Sequence, residues 1–329
     1  MSKRILIPLL SLAAGLLTTA PAVAATQTAS TENWAGYVVS PKQGTGFSSV
    51  SGAWTQPAAR CTTNTANSYA AFWVGLGGGS QQSTALEQIG TQADCTANGT
   101  SSYYAWYELV PAAPVKLRMA VHAGDRMYGR VQVSANSVTL SLSDRSTGQS
   151  FSKTLTMTNP SPENNTAEWI AEAPSMCAGG TQGSCTPLSL ADFGATTFTN
   201  AYATAGGHTG AIGDSRWNAT RVALTPSGAG LLGGGYGGYS GYGSLSSYRA
   251  LSTGGGAATP STLSAKGTRF TVKYAAAQTL SGGAGSGSGN GGSGYGGYGG
   301  YGYGGGYYGY GGYGGYGGGY YGYGGYYGY

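Results

Sequence analysis

Nowhere in this chain do apolar residues recur every three or four positions over the length of a helix. Instead, short runs of aromatic and β-branched residues are cut by glycine or proline roughly every ten residues. Asn33–Ser40 stops at Pro41, Phe47–Trp54 is closed by Pro57, Ser68–Leu76 breaks at Gly77-Gly78-Gly79, and Tyr103–Val110 stops at Pro111. Further runs cover 85–90, 115–121, 126–133, 137–144, 150–158, 167–172, 188–193, 196–204, 222–225 and 268–274. Runs this short cannot pay for a helix nucleus, but each suits a strand. The pattern predicts an all-β, antiparallel two-sheet sandwich or barrel.

The ends lie outside that pattern. Residues 1–24 read as a signal peptide: Lys3 and Arg4, an apolar stretch from Ile5 to about Leu17, then Ala22-Val23-Ala24 as the cleavage site. No other stretch is long and apolar enough to span a bilayer, so the expectation is a secreted protein. Residues 25–32 read as a short polar lead-in, and 33–277 as the sandwich domain. Residues 294–329 contain only glycine and tyrosine, 15 of the chain's 27 tyrosines among them. With no aliphatic residue to bury, 278–329 reads as a low-complexity tail. Residues 227–265 resemble it in composition and read as an insertion within the domain. Stacking tyrosines raise the further expectation that the tail contacts a cell surface or matrix.

Charged residues make up 8% of the chain, sixteen Lys+Arg against eleven Asp+Glu. Dropping Lys3 and Arg4 leaves fourteen against eleven, or +3. That charge is too dispersed for nucleic acid. So few carboxylates also predict tolerance of acid, because acid denatures mainly by protonating paired carboxylates. Four cysteines in an exported chain predict two disulfides: Cys177–Cys185 around a short loop, and Cys61–Cys95 as the remaining pair. No zinc-ligand spacing is present, and no cofactor is expected.

The same residues exclude the common hydrolytic sites. His122 and His208 are the two histidines, neither in a triad motif, and HExxH is absent. Carboxylates and amides on strands remain. In AEWIAE, the 167–172 run, alternation puts Glu168, Ile170 and Glu172 on one face. Two carboxyls and one isoleucine suit either a cleft wall or a solvated face. Gln88 in ALEQIG and Glu108 in AWYELVP are likewise set among residues that favour burial, where a lone carboxyl needs a partner or a task.

Six segments, in order, resemble those of the glutamic peptidases, the eqolisin family: NWAGYV (33–38), SVSGAWTQP (49–57), AFWVGLGG (71–78), ALEQIG (85–90), AWYELVP (105–111) and AEWIAE (167–172). The likeness covers roughly residues 33–275, and the Cys177–Cys185 loop also looks like the family's. It implies a lectin-like jelly roll with a cleft, and a catalytic dyad of Gln88 and Glu172. It implies that Trp73 lines the site and that Glu108 supports the dyad, with Trp106 beside it in the same segment. Some features depart from the family. Leu76–Gly79 lacks the acidic residue that fungal members carry there, the stretch linking Gln88 to Asp94 is longer, and the insertion and tail are extra.

The resulting expectation is a secreted, acid-acting endopeptidase for protein or peptide substrates, with Glu172 activating water and Gln88 steadying the oxyanion. The competing expectation is a non-catalytic, carbohydrate- or surface-binding sandwich in which Trp73, Trp106 and Trp169 stack on sugars. A third is a wall protein dominated by its Gly/Tyr segments.

Overall fold

The computed structural model describes residues 26–80, 83–178, 184–226 and 256–276. The stretch read as a signal peptide, the stretch read as a tail and most of the 227–265 stretch lie outside them. Eighteen strands and one short 3₁₀ turn make up the described regular structure. The first six strands are β1 (Thr26–Thr31), β2 (Trp34–Pro41), β3 (Phe47–Thr55), β4 (Ser68–Gly77), β5 (Leu86–Cys95) and β6 (Ser101–Val110). Then come β7 (Val115–Lys116), β8 (Arg126–Ser134), β9 (Ser137–Asp144), β10 (Ser150–Thr156), β11 (Ala167–Glu172) and β12 (Ser175–Ala178). The last six are β13 (Ser184–Pro187), β14 (Ala195–Ala205), β15 (His208–Ala211), β16 (Trp217–Leu224), β17 (Ala257–Pro260) and β18 (Phe270–Ala275).

The expected sandwich is present. One ladder runs β10-β9-β8-β3-β14-β18-β17-β16-β2-β11-β4-β5-β6-β7 and folds back on itself, so that β4 and β5 pack over β3, β8 and β9. The strands in this path pair antiparallel, whereas β1 joins β16 in parallel. The core fills the space between the two halves with Trp54, Phe72, Trp169, Phe198 and Phe270, all nearly or wholly buried. Trp169 needs room, and Gly52 provides it. A β-carbon there would sit 2.7 Å from the indole, closer than packed atoms approach.

Several boundaries differ from the sequence reading. The lead-in is a strand: TQTAST is polar, yet threonine fits a pleated ladder, and β16 supplies the partner. Part of the stretch read as an insertion is strand β17, which bridges β16 to β18. Residues 115–121 hold only the two-residue β7. Residues 188–193 make one isolated bridge, Leu190 to Tyr69. His208 lies on β15.

Both disulfides form as paired above. Cys177–Cys185 ties β12 to β13, the hairpin that follows β11. Among the described residues, no helix is long and apolar enough to cross a membrane.

Candidate active site

Strand register decides which side chains meet. Across β2, β11, β4, β5 and β6, three rows of residues lie side by side on the face turned away from the main core. One row runs Val38, Glu168, Gly75, Gln88, Glu108; the next Gly36, Ile170, Trp73, Gly90, Trp106; the third Trp34, Glu172, Ala71, Gln92, Tyr104. Alternation therefore places Gln88, Glu108, Glu168 and Glu172 on one face, as the sequence implied. A smaller apolar cluster on this face, including Trp34, Trp73, Trp106, Ile170 and Val222, surrounds them.

Glu172 ends β11 and is half-buried. The Trp73 indole N–H donates to its Oε2 at 2.7 Å, and the Asn33 side-chain amide donates to its Oε1 at 3.2 Å. Trp73 is itself fixed edge-on against Trp34, ring centres 5.0 Å apart. Burial pushes the Glu172 carboxyl up to about 7, while hydrogen bonds from Trp73, Trp34 and Asn33 favour its charged form and pull the other way.

Gln88 is buried on β5 and donates from Nε2 to Glu108 Oε2 at 2.7 Å. Among the described residues, its Oε1 has no hydrogen-bond partner. Burial raises Glu108 to about 8; the charge of Glu172 adds to the rise, and the Gln88 bond opposes it. Among the described residues, no hydrogen bond joins Gln88 to Glu172. Strand β4 lies between theirs and their rows are four residues apart in the ladder, and Glu108 is the group that feels both.

Other expected residues fall differently. Trp73, expected to line the site, is wholly buried and contacts Glu172. Trp106 is 5% exposed and Trp169 wholly buried, on the opposite face. None of the three offers a ring to a sugar. Asp94 does lie near the site, on the same face of β5 as Gln88. It accepts from Gln92 at 2.7 Å, and burial raises it to about 6 against the pull of Gln92 and Lys116. The histidines pair with Asp125 and Asp214, away from these rows.

Sequence reasoning missed Asn33 and Trp34 as partners of Glu172, although both begin the NWAGYV segment. It also missed a second group of acids. Glu87 and Glu168 are wholly buried; burial raises Glu87 to about 8 and Glu168 well above its usual range. Glu87 accepts from the Glu163 backbone N–H at 3.2 Å. Among the described residues, one oxygen of Glu87 and one of Glu163 lack a hydrogen-bond partner, and Glu168 has only the neighbouring Thr166 hydroxyl to oppose its burial.

Fold and site together define a β-sandwich with a tryptophan-walled face on which carboxyls and side-chain amides converge. Residues 32–227 match the Peptidase A4 family, and the chain belongs to that family. It is 31% identical over 198 residues to aspergillopepsin-2 of Aspergillus niger, a match spanning 54% of this chain and 66% of that protein. Its fold is similar to that of scytalido-glutamic peptidase solved with a transition-state analogue inhibitor, with TM-score 0.55, 22% identity, and coverage of 74% of this chain and 98% of the other. It is also similar to SCP-B, an eqolisin solved with the tripeptide Ala-Ile-His, with TM-score 0.50, 22% identity and the same coverage.

Proposed function

We propose that this chain is a secreted endopeptidase, working on the acid side of neutrality, with Glu172 as base and Gln88 as oxyanion holder. The observation that carries the reading is Glu172 itself. It is a half-buried residue whose carboxyl takes an N–H donor on each oxygen; these bonds favour the ionised form that a base requires, against the burial that raises the group to about 7, so the ionised fraction grows toward the upper end of the acid range. In the first step, Glu172 takes a proton from a water whose oxygen attacks the scissile carbonyl. The carbonyl oxygen becomes an oxyanion. One Nε2 hydrogen of Gln88 is committed to Glu108, and the other is free to hold that charge. Glu172 then returns the proton to the leaving amine as the C–N bond breaks. Glu108 orients Gln88 and, being neutral in acid, adds no second charge beside the oxyanion. Secretion is supported by the signal-like N-terminus and two disulfides. Peptides bound to structural relatives support a peptide in this cleft.

The test is protein digestion with pepstatin present, from pH 2 to 7, comparing wild type, Glu172→Gln and Gln88→Ala. We expect activity in the wild type alone. Undiminished activity in both variants would sink the assignment.

A further inference from the structure

The opposite face of the sandwich has a chemistry of its own. Strands β10, β9, β8, β3 and β14 lie side by side there, and Trp54, Met127, Leu140 and Phe198 turn from them into the core. Alternation sends the intervening side chains outward. One outward row across the five strands reads Ser152, Ser141, Arg130, Ser51, Tyr202. Hydroxyls pair between β9 and β10 at Ser141–Ser152, 3.1 Å, and at Thr139–Thr154, 2.9 Å. The five strands hold one carboxyl, Asp144. It is 1% exposed and is taken up by hydrogen bonds from Ser146 and Thr147. The outward side is thus free of acids.

Cations stand on that side without a counter-charge. Arg126 and Arg130 are exposed on β8, four residues and so about 13 Å apart along the strand. Arg130 Nε donates to the Ser49 hydroxyl at 3.2 Å, and Arg126 Nη2 donates to the Arg145 carbonyl at 3.2 Å. The Arg145 guanidinium lies over the Tyr128 ring, 4.3 Å from its centre. A hydroxyl, a carbonyl and a ring therefore fix three guanidiniums in place. Among the described residues, none of the three forms an ion pair with a carboxylate.

We propose that this face binds an acidic polysaccharide, a chain of uronate sugars, and holds the protein on it with the candidate active site on the far side. A guanidinium positioned by neutral partners keeps N–H donors for a carboxylate and matches its geometry. Between the cations lie hydroxyls and the Gln132 amide, which suit sugar hydroxyls, and Tyr202, 39% exposed, adds a ring. Duplex DNA carries a charge about every 1.7 Å, and tight binders meet about 6–10 phosphates. Three spaced guanidiniums among hydroxyls fit a polymer whose charges are interleaved with hydroxyls instead. None of these side chains touches Glu172 or Gln88, so the binding does not depend on the peptidase reading.

The experiment sediments the full chain with insoluble polygalacturonate at pH 5, where the uronates are ionised. Wild type should be retained in low salt and released in about 0.5 M NaCl, which screens exposed charges. The methyl-esterified polymer, with the same sugars but no charge, should bind it about tenfold less tightly. A triple variant, Arg126→Ser with Arg130→Ser and Arg145→Ser, should lose about tenfold in affinity for the acidic polymer. A thermal melt checks its fold, and if it does not fold, the esterified polymer decides alone. Equal retention on the two polymers would overturn the proposal, as would a folded variant that binds like wild type or a wild type that is not retained. Binding to duplex DNA as tight as to polygalacturonate would overturn the choice of a sugar polymer.

Discussion

Replacing Glu87 by glutamine should make this protein more stable at neutral pH and leave it unchanged in acid. Glu87 is wholly buried and accepts one backbone N–H from Glu163, and among the described residues its second oxygen has no hydrogen-bond partner. Burial raises its carboxyl from 4.5 to about 8. The folded state therefore keeps a proton that the unfolded chain releases. Below about pH 4.5 both states hold it and nothing is lost. As pH rises from there toward 8, the folded state loses ground by about 1.4 kcal/mol per pH unit. At pH 7 the loss from this one residue is about 3 kcal/mol, a large part of the ~5–15 kcal/mol that holds a typical domain together. Glutamine mimics the protonated acid, keeping the acceptor for Glu163 and never ionising. Urea melts at pH 4 and pH 7 measure the effect. Wild type should fall sharply between the two, with Glu108, Glu168 and Glu172 adding to the drop in the same direction. The variant should fall by about 3 kcal/mol less. Equal drops in both proteins would refute the argument that Glu87 is protonated in the fold.

Three other outcomes are expected. Glu168→Gln should keep most of the activity that Glu172→Gln loses, because Glu168 has no exposed surface with which to meet substrate; a peptidase assay at pH 5 decides, with a loss of about 10²–10⁴-fold anticipated for Glu172→Gln. Trp73→Phe removes an N–H that favours ionised Glu172, so the acid limb of the pH–rate profile should move to higher pH; an unmoved limb would show that the indole does not set the ionisation. Gly52→Ala puts a β-carbon into the Trp169 ring and should cost about 1–3 kcal/mol in a urea melt.

Much of this was legible in the sequence, and the gaps have physical causes. The all-β class followed from short runs and turn residues, and alternation correctly put Glu168 and Glu172 on one face. Period-2 reasoning gives a face but not a depth. It therefore could not show that Glu168 is sealed off while Glu172, four residues on, is only half-buried. Nor could it show that Trp73 is spent on holding Glu172. Asn33 acts on Glu172 from 139 residues away, a contact that only strand pairing creates. β1 was hidden because its strand character comes from β16, and β17 because four small residues carry little signal by themselves. The run at 188–193 had the apolar content of a strand, but it forms only a single bridge, to Tyr69.

The pairing of Leu224 with Ala258 has a consequence for how this protein can change. The chain leaves the ladder at the end of β16 and re-enters at β17 opposite the residue where it left. The two ends of the intervening stretch are thus pinned together by the sheet, whatever lies between them. Closing a longer loop costs little, about 0.6 kcal/mol per doubling. A chain with residues 230–250 removed should therefore melt within a few degrees of the full-length protein, and a drop far beyond that would show the stretch to be part of the fold's support. On this geometry the junction is a socket. Whatever sequence occupies it can be rewritten while Glu172 and Gln88, on strands the junction does not carry, stay where they are.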